Sequence, residues 1–195
     1  YEVYSEKRFK YNDIDQPNRN KLLWRDRSVD GVKTGYTKDA GYCLVASAER
    51  EGMRLISVVL GTTSDEARMR ESQKLLSFGF RNFETQTLYN ANSELRAEPV
   101  FYGTLESVGL GVVEEVSVTV PRGYYKDIQA EISVPIQLEA PLVTGQIVGR
   151  LKLVLADEVI YEGDVVTLLD VPEAGVFSRL GDFVFLLFES MFGDD

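Results

Sequence analysis

The chain has 195 residues, 44% hydrophobic and 27% charged, which is ordinary globular usage and argues against a disordered chain. It contains no histidine, so a Ser-His-Asp triad and the usual histidine zinc sites are excluded. The net charge of -10 is uneven: residues 1–82 hold 15 Lys and Arg against 12 Asp and Glu, while residues 83–195 hold 6 against 19. That split points to two domains and argues against nucleic acid as a partner.

The chain starts at Tyr1 with no initiator methionine and no signal peptide, which reads as a processed or cut chain. Residues 28–36 supply a strand. Two apolar runs, 41–48 and 53–61, flank Glu49-Arg50-Glu51-Gly52 and are expected to form a hairpin of largely buried strands. Cys43 is the sole cysteine and sits in the first of these runs, so a buried structural thiol is expected. Ser64 or Thr63 then caps a helix over 65–80, with Asp65 and Glu66 in its first turn. Met69, Leu75, Leu76 and Phe80 fit its apolar face, with Arg68 and Arg70 elsewhere.

From about residue 83 the texture changes to short alternating segments, such as Val116-Ser117-Val118-Thr119-Val120 and Leu151-Lys152-Leu153-Val154-Leu155. Turn signals separate them at Pro121-Arg122-Gly123, Ala156-Asp157-Glu158 and Glu162-Gly163-Asp164. A small all-β sandwich is expected over 83–171. Residues 173–195 have a helical period that puts Val176, Phe177, Leu180, Phe183 and Leu187 on one broad face, opposite Arg179, Asp182 and Glu189. This segment is too short and too charged to span a bilayer, and is expected to lie on a membrane surface.

One tripeptide, Lys33-Thr34-Gly35, carries recognisable chemistry. It recurs in serine acyltransferases that bind penicillin, alongside Ser-x-x-Lys and Ser-x-Asn elements. At a strand edge the Lys33 ammonium favours loss of a serine proton and attracts a carboxylate. Thr34 offers it a hydroxyl, and Gly35 leaves room for a substrate backbone. By itself the tripeptide is weak, since chance gives it in roughly one chain in 25 of this length. An exposed strand end with a solvated lysine explains it equally well.

Its surroundings change the weighing. Asn18-Arg19-Asn20, Leu22-Leu23-Trp24, Val29-Asp30-Gly31-Val32, Ala40-Gly41-Tyr42 and Leu44-Val45-Ala46-Ser47-Ala48 come in order around it. Arg68, Glu71-Ser72, Gly79-Phe80, Glu98-Pro99-Val100, Val120-Pro121-Arg122-Gly123 and Ala140-Pro141-Leu142 continue the series. In these motifs the chain closely resembles the low-molecular-mass penicillin-binding D-alanyl-D-alanine carboxypeptidases of Gram-negative bacteria. The resemblance covers essentially its whole length.

The resemblance implies an α+β fold. Residues 1–82 would be the C-terminal portion of a β-lactamase/transpeptidase-like catalytic domain, an antiparallel sheet with helices. A small all-β sandwich over 83–171 and an amphipathic membrane-surface helix over 172–195 would follow. The implied activity is a serine-type hydrolase, without cofactor or metal, that trims D-Ala from peptidoglycan pentapeptides through an acyl-serine. β-Lactams would acylate the same serine. The implied place is the periplasm, attached peripherally to the inner membrane through residues 173–195.

For the site, the resemblance implies substrate binding by Lys33, Thr34 and Gly35, with Arg19 and Arg68 as basic positions for a terminal carboxylate. For each arginine a structural salt bridge is an equal alternative. Tyr36 stands where some relatives carry histidine. No serine in the chain is followed three residues on by Lys, or two residues on by Asn. Nucleophile and base are therefore absent from these residues, and are expected in an N-terminal segment of the same protein ahead of Tyr1. Two other readings stay open: a β-lactamase-like enzyme, and a non-catalytic β-sandwich interaction or spacer module.

Overall fold

The computed structural model describes residues 2–135 and 137–175. They divide into two units. Residues up to Gln86 together with Thr119–Tyr125 make the first; Thr87–Val118 and the described residues from Lys126 onward make the second.

The first unit begins with an antiparallel ribbon, β1 (Arg8–Tyr11) and β2 (Ile14–Pro17). Asn12 and Asp13 turn it with φ of 50° and 60°, a backbone that Asn and Asp accept more readily than other side-chain-bearing residues. The ribbon is not among the expected elements. It leaves Phe9, Tyr11 and Ile14 exposed, so it has no buried face to set a period in the sequence.

A single helical turn, α1 (Leu22–Arg25), buries Leu22 and Leu23. It leads into a three-stranded antiparallel sheet, β3 (Val29–Thr37), β4 (Gly41–Arg50) and β5 (Met53–Thr62), in that order. The expected four-residue turn contracts. Both strands run on, pairing Arg50 with Met53, and only Glu51 and Gly52 turn, with φ of 50° and 78°. Positive φ at both residues suits the right-handed twist of the strands. The expectation of two buried strands holds for β4 but not for β5, whose Ile56, Val58 and Leu60 are exposed. One face of β5 packs and the other does not, because successive side chains point to opposite faces.

The helix α2 (Asp65–Asn82) lies against β4 and β5. Ser64 rather than Thr63 caps it, its hydroxyl accepting from the Ala67 amide at 3.0 Å. Met69, Ser72, Leu76 and Phe80 form its buried stripe at helical spacing, and join Leu44, Ala46, Ala48 and Met53 in the core. Two assignments on this helix are corrected. Leu75 is exposed, while Arg68 is buried at 6%. Both lie at the margin of the stripe; the margin is covered at Arg68, where β3 and β4 offer it carbonyls.

The chain leaves α2 along β6 (Phe83–Tyr89). The strands that follow are β7 (Glu94–Phe101), β8 (Ser107–Gly111), β9 (Val116–Pro121), β10 (Gln129–Ser133), β11 (Leu138–Glu139), β12 (Ile147–Leu155) and β13 (Glu158–Thr167), all in the second unit except β9, whose last three residues belong to the first. Six of these form one sheet in the order β10-β12-β13-β8-β7-β11, and β6 pairs with β9. Only β11 and β7 run parallel among the sheet pairings described. The alternation read from sequence is real: Val116, Val118 and Val120 are buried, with polar neighbours outward, and Leu151 and Leu153 are fully buried.

One expected turn is corrected. Glu162, Gly163 and Asp164 lie inside β13, opposite Lys152, Leu151 and Arg150, and Asp164 pairs with Arg150 across the strands at 2.8 Å. The glycine there accommodates the Tyr161 side chain, not a reversal. The reversal falls at Ala156-Asp157, with φ of 51° and 65°. The expected helix over 172–195 lies outside the described residues from 176 on.

Candidate functional site

A cleft of about 450 Å³ opens in the first unit, within the range that holds small ligands. Its walls come from the segment before α1, from β3 and β4, and from the start of α2. Of the six residues singled out by sequence, five line it: Arg19, Thr34, Gly35, Tyr36 and Arg68. Lys33 does not. By strand alternation Lys33 points away from the face that Thr34 shares with its partner Leu44. Its Nζ donates to the Thr34 carbonyl at 2.6 Å.

Arg68 projects from the first turns of α2 into a fixed position. Its Nη1 donates to the Gly35 carbonyl at 3.1 Å and to the Cys43 carbonyl at 3.3 Å. Its guanidinium carbon stands 5.5 Å from the centre of the Tyr42 ring, within cation–π range. Tyr42 is braced in turn by Tyr36, directly opposite on β3, with ring centroids 4.4 Å apart. Among the described residues no carboxylate pairs with Arg68 or with Arg19. Among the described residues the salt-bridge alternative has no partner for either.

Arg19 is exposed, and the backbone around it is pinned by two asparagines. Asn20 is 2% exposed. Its amide nitrogen donates to the Gly31 carbonyl at 3.0 Å, and its amide oxygen accepts from the Leu22 amide at 3.2 Å. Asn18 accepts from the Asn20 amide at 2.9 Å and donates to the carbonyls of Tyr4 and Glu6. A buried amide with both ends bonded locks a loop, since an unpaired one is costly. These bonds tie the Arg19 segment to β3.

At the mouth of the cleft Lys21 reaches the start of α2. Its Nζ lies 2.6 Å from Asp65 Oδ2 and 3.4 Å from Glu66 Oε1. The hydrogen bond from Lys21 holds the Asp65 carboxyl below the usual carboxylate range. Asn18, Asn20, Lys21, Tyr42 and Asp65 are the site residues that sequence reasoning did not single out. For Asp65 a signal existed, its three-residue spacing from Arg68 at a helix start. Asn20 and Tyr42 act through partners distant in sequence, which no local pattern reports.

Cys43 is corrected as well. It is half-buried, because Leu44 takes the core-facing position and leaves Cys43 on the other side of β4. Its contribution to the cleft is its carbonyl, which accepts from Arg68.

Comparison with known proteins gives these residues a lineage. Residues 1–64 match the D-alanyl-D-alanine carboxypeptidase family, and residues 83–173 match the C-terminal domain of penicillin-binding protein 5. The chain is 45% identical to D-alanyl-D-alanine carboxypeptidase DacC of Escherichia coli (strain K12), over 99% of this chain and 49% of that protein. It is 43% identical to DacA of Haemophilus influenzae, over 98% of this chain and 50% of that one. The crystal structure of penicillin binding protein 5 from Haemophilus influenzae superposes with a TM-score of 0.79 at 43% identity, covering 88% of this chain and 51% of that one. The chain thus spans about half the length of the relatives it matches. With both family models matched in order and identity sustained from end to end, the chain is similar along its whole length to about half the length of the penicillin-binding D-alanyl-D-alanine carboxypeptidases.

Proposed function

We propose that the protein carrying this chain is a serine-type D-alanyl-D-alanine carboxypeptidase, and that this chain supplies the cationic wall of its cleft. In that reaction a serine hydroxyl attacks the carbonyl of the penultimate D-Ala. The bond to the terminal D-Ala breaks, D-Ala leaves with the proton, and water hydrolyses the acyl-serine. Peptidoglycan pentapeptides are the substrate class, and β-lactams acylate the same serine. No Ser-x-x-Lys occurs in these 195 residues, so the nucleophile and its base are assigned to the rest of the protein.

One observation carries this reading: Arg68 is a buried cation with no carboxylate partner among the described residues. A buried charge left without a counter-ion is costly. The cost has a use if an anion arrives, and a guanidinium fork takes a carboxylate on two bonds. The terminal carboxylate of the peptide fits that description. Nη1 is committed to two carbonyls, which leaves Nε and Nη2 as donors for the ligand. Arg19 adds a second positive charge, Thr34 a hydroxyl, and Gly35 an open stretch of strand; Tyr36 braces Tyr42 beneath Arg68. Lys33, on the other face of the strand, is assigned to the serine, whose proton its ammonium helps to remove.

The same reading assigns residues 1–82 to the catalytic domain and 83–171 to a β-sandwich. It assigns 172–195 to a membrane-surface segment that holds the enzyme on the periplasmic side of the inner membrane. The last assignment rests on sequence pattern alone.

The test is D-alanine release from a peptide ending in D-Ala-D-Ala, and from the same peptide with an amidated terminus. Losing a charge-assisted bond costs about 1.5–3 kcal/mol, so Arg68→Ala is expected to cut kcat/KM on the free acid roughly ten- to a hundredfold. The amidated peptide should lose much less. Equal losses on the two would assign Arg68 to structure. Lys33→Ala should slow penicillin acylation by an order of magnitude or more, and near-normal acylation would remove Lys33 from the site. Absence of both D-alanine release and a penicillin adduct in the unaltered protein overturns the reading.

A further inference from the structure

Arg68 has an obvious carboxylate partner that it does not use. Asp65 is three residues before it on α2 and lines the same cleft. Residues three apart on a helix are surface neighbours, and opposite charges at that spacing attract. Asp65 instead faces Lys21, 2.6 Å away, and Lys21 also touches Glu66. As a source of stability this cluster is poor. The Lys21 and Asp65 side chains are 49% and 32% exposed, and exposed pairs contribute little. Its effect lies in where it puts the Asp65 charge.

We propose that Lys21 is a positioning residue for the carboxylate site: it holds Asp65 away from Arg68, so that the guanidinium stays open for the substrate's terminal carboxylate. This rests on the reading of Arg68 given above. Without Lys21, Asp65 swings to Arg68 and competes with the substrate as an internal carboxylate. Apparent affinity then falls by the fraction of molecules in which Arg68 remains open. The chemical step, which begins only once substrate is seated, is unaffected.

Two measurements decide this. In the protein carrying this chain, Lys21→Ala is expected to raise KM for the free-acid peptide about three- to tenfold with kcat retained. Adding Asp65→Asn, which removes the competing charge, is expected to bring KM back. An unchanged KM in Lys21→Ala overturns the proposal, as does a double variant that stays as poor as the single one, because Lys21 would then contact substrate or serve folding alone.

The second measurement needs no turnover. In the protein carrying this chain, NMR titration of Asp65 in Lys21→Ala should still find its carboxyl below the ordinary range, because Arg68 has replaced Lys21. Adding Arg68→Ala should return it to the ordinary range. A return in the single variant overturns the proposal. If no form releases D-alanine, the carboxypeptidase reading fails while this titration still decides where Asp65 goes.

Discussion

Gly35 takes no left-handed backbone, and a Cβ built on it meets only the Cβ of Cys43, at 3.7 Å. That is ordinary van der Waals contact, so nothing in the fold demands glycine here. Contrast Gly41, with φ of 64° and a Cβ that would lie 2.9 Å from the Thr62 carbonyl oxygen: there the backbone itself requires the residue. If Gly35 matters, it matters to what approaches β3 from the cleft. Gly35→Ala is therefore expected to leave the thermal midpoint of the chain unchanged. Penicillin acylation and D-alanine release should fall at least tenfold in the protein that carries it, as a methyl group blocks a backbone lying on the strand. A lower midpoint with normal acylation would reverse that assignment. The same contrast shows what a sequence reveals of a site. Lys33-Thr34-Gly35 is legible because its residues are adjacent. The burial of Arg68 is not, because it depends on two carbonyls 33 and 25 residues away in the chain.

Elements with a buried face were readable, and those without one were not. The strand β4, with Leu44, Ala46 and Ala48 inward, and the helix α2, with its cap at Ser64, follow from period and capping chemistry. The β1–β2 ribbon shows no such period, and β13 looked interrupted because Gly163 resembles a turn signal when its partner strand is unknown. The turn between α1 and β3 is held by a device of the same non-local kind. Asp26 accepts from the Ser28 amide at 3.0 Å and the Ser28 hydroxyl at 2.6 Å, and pairs with Arg50 at the end of β4 at 2.7 Å. Arg50 in turn sits 4.5 Å over the Phe80 ring. Burial pushes the Asp26 carboxyl up, but Ser28 and Arg50 outweigh it, and the net shift is downward. A carboxyl depressed in the folded state adds stability above its ordinary pKa of about 3.9, and that stability is lost as pH falls through the folded value. Asp26→Asn should thus be less stable than the unaltered chain by about 0.5–1 kcal/mol at pH 7. The gap should close as pH falls below the ordinary carboxylate range. A gap that is constant down to pH of about 2, in paired urea titrations, would show that the charge of Asp26 contributes nothing.

At the scale of the whole molecule the charge divide is the clearest feature, and it constrains the membrane contact proposed for residues 173–195. Residues 173–195 carry Glu173, Asp182, Glu189, Asp194 and Asp195 against Arg179 alone. A basic residue close to an anionic bilayer contributes about 1 kcal/mol of attraction, and this segment has a net negative charge. Attraction by charge is thus unfavourable, and the acidic stretch from 83 onward adds to the repulsion. What remains is apolar burial. The Val, Leu and Phe positions of 176–192 can remove area from water at about 25 cal/mol per Å², the usual mode of an interfacial segment. Binding of the 195-residue chain to neutral vesicles should therefore persist from about 0.1 to about 1 M salt, since screening acts only on charge. It should not rise when anionic lipid is added. Removing residues 176–195 should free the chain from vesicles while leaving its thermal midpoint intact, because the backbone bonds of Glu173 and Ala174 to the second unit are kept, which separates lost anchoring from lost folding. Association that salt abolishes, or that survives the truncation, would move the membrane contact elsewhere in the protein and leave the apolar positions of this segment to a protein partner.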